Sequence, residues 1–249
     1  MKKNIILITG GGRGIGAATA LIAATRGYSV CINYRHNHDA ANRVVKNIIA
    51  AGGEAIAIAA DVTSEPAVIQ LFSQIDSELG SVTALVNNAG ILEKKSSVEH
   101  MDAARIQRVL NTNILGPFLC TREAIRRMST VNGGTGGAIV NVSSRAACRG
   151  APNEQIDYAV SKGALDTFTI GLSLELANQG IRVNAVRPGI IDTEIHQSTG
   201  EPDRLKRLQS TVPMQRIGSP QEVANAILWL LSDEASYITG TFVDVSGGR

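Results

Sequence analysis

The sequence begins with a short apolar segment that leads directly into a glycine-rich turn. Residues 5–8 (IILI) are followed by TGGGRGIG at 9–16 and by an alanine-rich stretch at 17–26. This order is typical of a buried parallel strand, a tight turn and a helix. Glycines at 10, 14 and 16 would let the backbone approach a pyrophosphate closely, and the helix N-terminus would offer free N–H groups. The spacing is G-x-x-x-G-x-G rather than G-x-G-x-x-G, and such a loop alone is weak evidence for nucleotide binding.

The same alternation of apolar runs and helical patterns continues along the chain. Strands are predicted at 5–9, 29–33, 55–59, 84–87, 138–142, 182–186 and 242–245. Helices are predicted at 14–26, 39–51, 65–79, 102–128, 157–178, 203–209 and 220–232. Because no linker divides the chain, we expect one α/β domain over residues 1–249, a Rossmann-type doubly wound sheet of seven mostly parallel strands with helices on both faces.

Composition argues against several classes of function. The 24 basic and 22 acidic residues are scattered and give a net charge of +2, and aromatic residues make up only 4% of the chain, so we expect no nucleic-acid partner. The longest apolar runs, such as 226–231, are far below the ~18 residues of a membrane span, so no membrane partner is expected. The three cysteines lack metal-site spacing and fit a reducing cytoplasm, and no metal is expected.

A tyrosine and a lysine four residues apart carry the strongest chemical signal. Tyr158 and Lys162 lie in YAVSK on a predicted helix, where positions i and i+4 share a face, and Ser144 lies fourteen residues upstream. A cation about 4 Å from a phenol would lower its pKa by about three units, toward the range where acid–base catalysis works best. We therefore expect Lys162 to depress the pKa of Tyr158.

Six ordered motifs resemble the short-chain dehydrogenase/reductase family, in its branch of about 250 residues. They are TGGGRGIG, Asn87-Asn88-Ala89-Gly90, Asn113 in NTNILG, Ser144 in IVNVSS, YAVSK at 158–162 and Arg187-Pro188-Gly189. The segment NYR at 33–35 and the ending SYITGTFVDVSGG look most like bacterial glucose 1-dehydrogenase-like oxidoreductases. The resemblance implies hydride transfer at a carbonyl or secondary alcohol, with catalytic residues Asn113, Ser144, Tyr158 and Lys162. It also implies that Asn113 keeps a water in the proton relay.

The resemblance also implies a nicotinamide cofactor site. Its predicted residues are Gly10, Gly12, Arg13, Gly14, Ile15, Gly16, Arg35, Asp61, Val62, Asn88, Ala89, Gly90, Tyr158, Lys162, Pro188, Gly189, Ile191 and Thr193. NAD-specific sites usually place an acid about 20 residues after the glycines, but here that position reads Asn33-Tyr34-Arg35 and the next acid is Asp39. Arg35 and Arg13 could instead hold a 2′-phosphate. NADP is therefore favoured, with NAD also accepted in some similar members.

Other functions stay open at this level. One is a catalytically silent NADP-binding sensor or interaction protein, and another is a 3-oxoacyl carrier reductase. Enoyl reductases of this fold have a wider Tyr-to-Lys spacing, and sugar epimerases have longer chains. Self-association into a homotetramer or dimer is expected through the helices at 102–128 and 157–178, with Ala159, Gly163 and Ala164 at the contact. Residues 190–219 are expected to form a lid, in which Arg204, Lys206 and Arg207 are interpreted as a solvated helical face.

Overall fold

A computed structural model describes residues 4–201 and 203–249. Its centre is a sheet whose seven strands lie in the order β3-β2-β1-β4-β5-β6-β7, with every neighbouring pair parallel. The strands are β1 Asn4–Ile8, β2 Tyr28–Tyr34, β3 Ala55–Ala59, β4 Ala84–Asn87, β5 Gly137–Val142, β6 Ile181–Pro188 and β7 Phe242–Val245. The predicted strands are confirmed. Because the chain returns from β3 to the other side of β1, a topological switch point lies between β1 and β4.

Nine α-helices connect these strands within the described residues. They are α1 Gly14–Thr25, α2 His38–Ala50, α3 Glu65–Glu78, α4 Ala103–Leu110, α5 Gly116–Met128, α6 Ala146–Arg149, α7 Ile156–Leu176, α8 Arg204–Gln209 and α9 Pro220–Leu231. The segment predicted as one helix at 102–128 contains a π-helical turn at Asn111–Leu115 between α4 and α5. A single π turn of this kind is frequent at functional sites.

The core consists of two apolar layers, one on each face of the sheet. Ile5 and Leu7 of β1 pack in the layer formed with α3, α5 and α7, whereas Ile6 and Ile8 pack in the layer formed with α1, α2 and α9. This alternation follows from the two-residue period of a strand. Burial on both faces explains why β1 reads as a continuous apolar run. Among the described residues, no helix is long and apolar enough to cross a membrane.

Residues 191–201 and 203–218 belong to a loop whose two ends are joined. Ile191 bridges Gly218, Asp192 N–H donates to the Gly218 carbonyl at 2.9 Å, and Gly218 N–H donates to the Ile190 carbonyl at 3.0 Å. A separate small apolar core contains Ile190, Leu208 and Val212, so that α8 and the residues after it pack against Ile190 at the start of this loop. This segment, within the predicted lid, is called the lid loop below.

The outer faces of α5 and α7 expose several apolar side chains. Phe118 stacks on Phe168 with ring centroids 3.9 Å apart and is still 49% exposed, and Leu174 is 78% exposed. Gly163 has no neighbouring atom within 4 Å of where a Cβ would lie. Ala159, however, is buried inside the protomer, so its predicted place at a helix contact between subunits is wrong.

Candidate active site

A cleft of about 1100 Å³ lies beyond the carboxyl ends of the strands, across the switch point. This is where ligands bind in open parallel sheets. The predicted residues that line it are Gly10, Gly12, Arg13, Gly14, Ile15, Arg35, Asp61, Val62, Asn88, Ala89, Gly90, Ser144, Tyr158, Lys162, Pro188, Gly189, Ile191 and Thr193. Two predicted residues, Gly16 and Asn113, are not part of this lining.

The turn between β1 and α1 has the shape and donors that suit a pyrophosphate. Gly10 and Gly14 adopt left-handed backbone conformations, with φ of 63° and 49°. A Cβ at Gly16 would lie 2.6 Å from the Asn88 side chain and from the Gly10 carbonyl, so Gly16 allows close packing behind the turn. The first turn of α1 has neither a capping side chain nor an acidic residue, which leaves its N–H groups available to an anion.

Asn88 fixes this turn to the end of β4. Its Nδ2 donates to the carbonyls of Thr9 at 2.9 Å and Gly10 at 3.1 Å, while the Thr9 hydroxyl accepts the N–H groups of Asn88 and Ala89 at 3.0 Å each. Asn88 therefore has a structural role, and it also lines the cleft as predicted for a cofactor residue. Asn87 is buried, and its side-chain N–H groups donate to Thr121 and Asn141. It does not line the cleft, so its role is structural.

Tyr158, Ser144 and Lys162 meet at the nicotinamide side expected for the cleft. All three side chains line the cleft, the Ser144 side chain is near enough to Tyr158 to lower the pKa of the phenol, and the Lys162 Nζ donates to the Val142 carbonyl at 2.8 Å. The Nζ lies 5.5 Å from the centroid of the Tyr158 ring. Ser144 also accepts the Ala146 N–H at 3.1 Å, which holds its side chain at the end of β5.

The acidity of the tyrosine differs from the sequence-based expectation. Burial raises the pKa of Tyr158, and the hydrogen bond from Ser144 and the charge of Arg204 only partly offset this. Burial also lowers the pKa of Lys162 to about 8, against the opposing effect of Asp166. The expected lowering of the Tyr158 pKa by Lys162 is therefore wrong for the protein alone. The physical reason is that desolvation of the partly buried phenol in the cleft outweighs the opposing effects of Ser144 and Arg204.

Asn113 lies behind the wall of the cleft in the π turn. Its Oδ1 accepts the Ile91 N–H at 2.9 Å, and its Nδ2 donates to the Ile91 carbonyl at 3.1 Å and to the Ser161 hydroxyl at 3.0 Å. The side chain is fully buried and both of its N–H bonds are used. The Asn113 side chain therefore has no N–H left for the water that the resemblance implies.

At the adenine end, Arg35 and Asp61 form an ion pair. Arg35 Nε lies 3.0 Å from Asp61 Oδ2, and Asp61 Oδ1 accepts both the N–H and the hydroxyl of Thr63. Burial alone would raise the pKa of Asp61, but the Thr63 hydrogen bonds and the charge of Arg35 lower it. Asp61 thus both closes its own turn and orients Arg35, a pairing that the sequence analysis did not anticipate.

The opposite end of the cleft contains residues that the sequence analysis missed or misread. Arg204 of the lid loop is 7% exposed and lines the cleft, so its interpretation as part of a solvated face is wrong, whereas Lys206 and Arg207 are exposed as expected. Other lining residues of this end are Arg149, Glu154, Gln155 and Arg249. No spacing in the sequence marks them, because they come from three separate segments.

Comparison with known proteins adds the family. A family model described as enoyl-(acyl carrier protein) reductase matches residues 10–249. The chain belongs to the short-chain dehydrogenase/reductase family. It is 57% identical to an uncharacterized oxidoreductase, YgfF, of Escherichia coli (strain K12), over 98% of this chain and 99% of that protein. It is 35% identical to a glucose and ribitol dehydrogenase of Daucus carota, over 100% of this chain and 85% of that protein.

A solved structure shares the fold of this short-chain dehydrogenase/reductase. The 3-ketoacyl-(acyl-carrier-protein) reductase from Brucella melitensis, complexed with NADH, has a TM-score of 0.91 and 34% identity, covering 99% of this chain and 98% of that one. The Rossmann-type fold and the family resemblance are thus confirmed. As a member of this family, the protein is an oxidoreductase that uses a nicotinamide cofactor and acts on CH–OH or C=O groups.

Proposed function

We propose that the protein transfers a hydride between NADP(H) and a carbonyl or secondary alcohol of a small substrate such as a sugar or ketone, with Tyr158 as the acid–base residue. The observation that carries the proposal is the convergence of Tyr158 and Ser144 in the cleft, with the Lys162 ammonium 5.5 Å from the centroid of the phenol ring. The bound nicotinamide would supply or accept the hydride.

The raised pKa of Tyr158 supports a role as proton donor in reduction. Because burial keeps the phenol protonated at neutral pH, its hydroxyl is ready to give a proton to the substrate oxygen. Ser144 would bind the same oxygen as negative charge develops on it. Once the proton has left, the Lys162 charge would stabilise the phenolate, since a buried cation near a buried anion is strongly attractive. Asn113 would then act mainly as a positioning residue that fixes the segment beside the cleft through Ile91 and Ser161.

The preference for NADP rests on the cations at the adenine end. Asp61 occupies one nitrogen of Arg35 and thereby fixes the direction of the guanidinium, whose other nitrogens can face a 2′-phosphate. Arg13 also lines the cleft. A phosphate there would receive charge-assisted hydrogen bonds, and no carboxylate follows β2 before Asp39 to repel it. NAD use remains compatible with this arrangement.

Self-association is the further part of the proposal. The exposed apolar side chains on α5 and α7, together with the open position at Gly163, would be covered in a homotetramer or dimer.

We place the protein in the cytoplasm, since its three cysteines form no disulfide, with Cys31 and Cys120 buried as free thiols.

The decisive experiment uses Tyr158→Phe with a panel of sugars, alcohols, ketones and a 3-oxoacyl carrier substrate, followed by NADPH absorbance. We expect kcat to fall by about 10²- to 10⁴-fold while the Kd for NADPH hardly changes, because only the proton donor is removed. Turnover of only the carrier substrate would favour the carrier-reductase alternative. Cofactor binding without turnover of any substrate would favour the silent sensor, and a variant that keeps most of its rate would refute the Tyr158 assignment.

A further inference from the structure

Arg204 is a buried cation at the substrate end of the cleft. It is the first residue of α8, and its side chain is 9% exposed. It reaches from the lid loop to the turn that precedes α7, and its charge is felt by Tyr158, whose pKa it lowers against the larger effect of burial. An arginine from the lid loop thus lies close to the proposed proton donor.

The hydrogen bonds of this guanidinium are incomplete. Only Nη2 has partners, Glu154 Oε2 at 3.0 Å and Gln155 Oε1 at 3.3 Å. Nε and Nη1 are buried and have no hydrogen-bond partner among the described residues. A buried charged donor without a partner is costly, and native proteins retain such groups where a ligand or another function needs them. Two donors of Arg204, a residue that lines the cleft, are therefore unsatisfied within the described part of the protein.

The carboxylate that Arg204 uses is already shared. Glu154 Oε1 also pairs with Arg207 at 3.0 Å, so one negative charge serves two guanidinium groups. Arg249 lines the same end, and its Nε too is buried without a partner among the described residues. Burial lowers the pKa of Arg249, and repulsion from Arg149, Arg204 and Arg207 adds to this, although Glu154 opposes it.

The remaining charges at this end do not cancel the excess. Arg145 lines the cleft but is neutralised by Asp244 at 2.6 Å. Glu194 is the other acidic residue of the lining at this end. Three arginines, Arg149, Arg204 and Arg249, thus face the two carboxylates of Glu154 and Glu194, and the net charge of this end of the cleft is positive. Low-dielectric walls strengthen the attraction of such a site for an anion.

We infer that Arg204 binds an anionic group of the substrate, a carboxylate or a phosphate, so that the substrate is a hydroxy or oxo acid, a sugar acid or a phosphorylated ketone. This inference rests on the proposed function and adds the substrate class to it. Arg207 attaches the lid loop to Glu154 from the exposed side and also pairs with Glu201 within the loop, so this attachment does not require the two unused donors of Arg204.

The test compares Arg204→Met with Arg207→Met on matched substrate pairs. The pairs are D-gluconate and D-glucitol, acetoacetate and methyl acetoacetate, and dihydroxyacetone phosphate and dihydroxyacetone, so that carboxylate and phosphate are tested separately. We expect the wild type to prefer a charged member, and Arg204→Met to lose about 10- to 100-fold in kcat/KM on that member through KM, with little change on its uncharged partner. Arg207→Met should leave this preference in place.

Equal losses on both members of a pair, or no loss on the charged member, would overturn the inference. If the wild type turns over none of these compounds, the proposed function fails for them, and calorimetric titration of gluconate, acetoacetate and dihydroxyacetone phosphate into the NADP-loaded protein decides the inference separately. Binding that is lost in Arg204→Met supports it. Binding that survives in the variant, or no binding to the wild type, refutes it.

Discussion

Replacing Lys162 with methionine should remove part of the pH dependence of the protein's stability along with a proposed catalytic group. Lys162 is buried, and burial lowers its pKa from 10.5 to about 8. A lysine whose pKa is lowered in the folded state binds fewer protons there than in the unfolded chain. The free energy of unfolding therefore rises with pH across the window from about 8 to about 10.5.

The size of this pH dependence follows from the shift. Each pKa unit corresponds to about 1.4 kcal/mol, so the lysine should make the wild type gain about 2 kcal/mol of unfolding free energy between about pH 7 and about pH 9.5. Methionine has a similar length and no charge, so Lys162→Met should lose this part of the dependence. The substitution also leaves the Val142 carbonyl without its donor, which costs about 1–3 kcal/mol at every pH. The slope is therefore a cleaner measure than the stability at one pH.

Urea unfolding of wild type and variant at several pH values measures this difference. Lys206→Met is the matched control, because Lys206 is an exposed lysine on α8. We expect the unfolding free energy of the wild type to rise relative to that of Lys162→Met as the pH increases. The Lys206→Met control should show no such trend relative to the wild type. A difference that stays constant over this range would mean that burial does not perturb Lys162, and the argument would be wrong.

Two further predictions concern the cofactor and the assembly. Arg35→Asp should move the preference toward NAD and lower the affinity for NADPH by about 10- to 100-fold, because it removes a phosphate contact and places a second carboxylate beside Asp61. The Kd values for NADPH and NADH measure this, and an unchanged ratio of the two would mean that Arg35 does not contact the phosphate. Light scattering should give an assembly larger than the 26.2 kDa chain, and Leu174→Glu should dissociate it; a single 26.2 kDa species for the wild type at micromolar concentration would contradict the proposed interface.

The sequence predicted those parts of the molecule that depend on local pattern. The apolar runs located all seven strands, and the glycine spacing located the turn before α1, since both are set by short-range sterics and hydrophobic periodicity. The motif residues converged on one cleft because parallel strands end at the same edge of a sheet.

Properties that depend on long-range burial were not predictable in this way. The pKa of Tyr158 is set by how completely the cleft desolvates it, which the four-residue spacing to Lys162 does not report. Arg204 reads as one of three basic residues near one another on a short helix, and only the fold shows that it turns inward while Arg207 turns outward. The π turn at Asn113 is equally invisible to a helical period.

The hydrogen bonds between the two ends of the lid loop would allow its sequence to be exchanged without disturbing the rest of the fold. Because residues 190–192 and Gly218 are bonded to one another, β6 and α9 keep their positions whatever the length of chain between them. Doubling the length of such a loop costs only about 0.6 kcal/mol in closure entropy. Tyr158, Ser144 and Lys162 lie outside this segment, whereas Arg204 lies within it. Transplanting a lid loop from another member of the family between these anchor points, with Ile191 and Thr193 of the cofactor site kept, should therefore create a chimera with new substrate selectivity and unchanged chemistry.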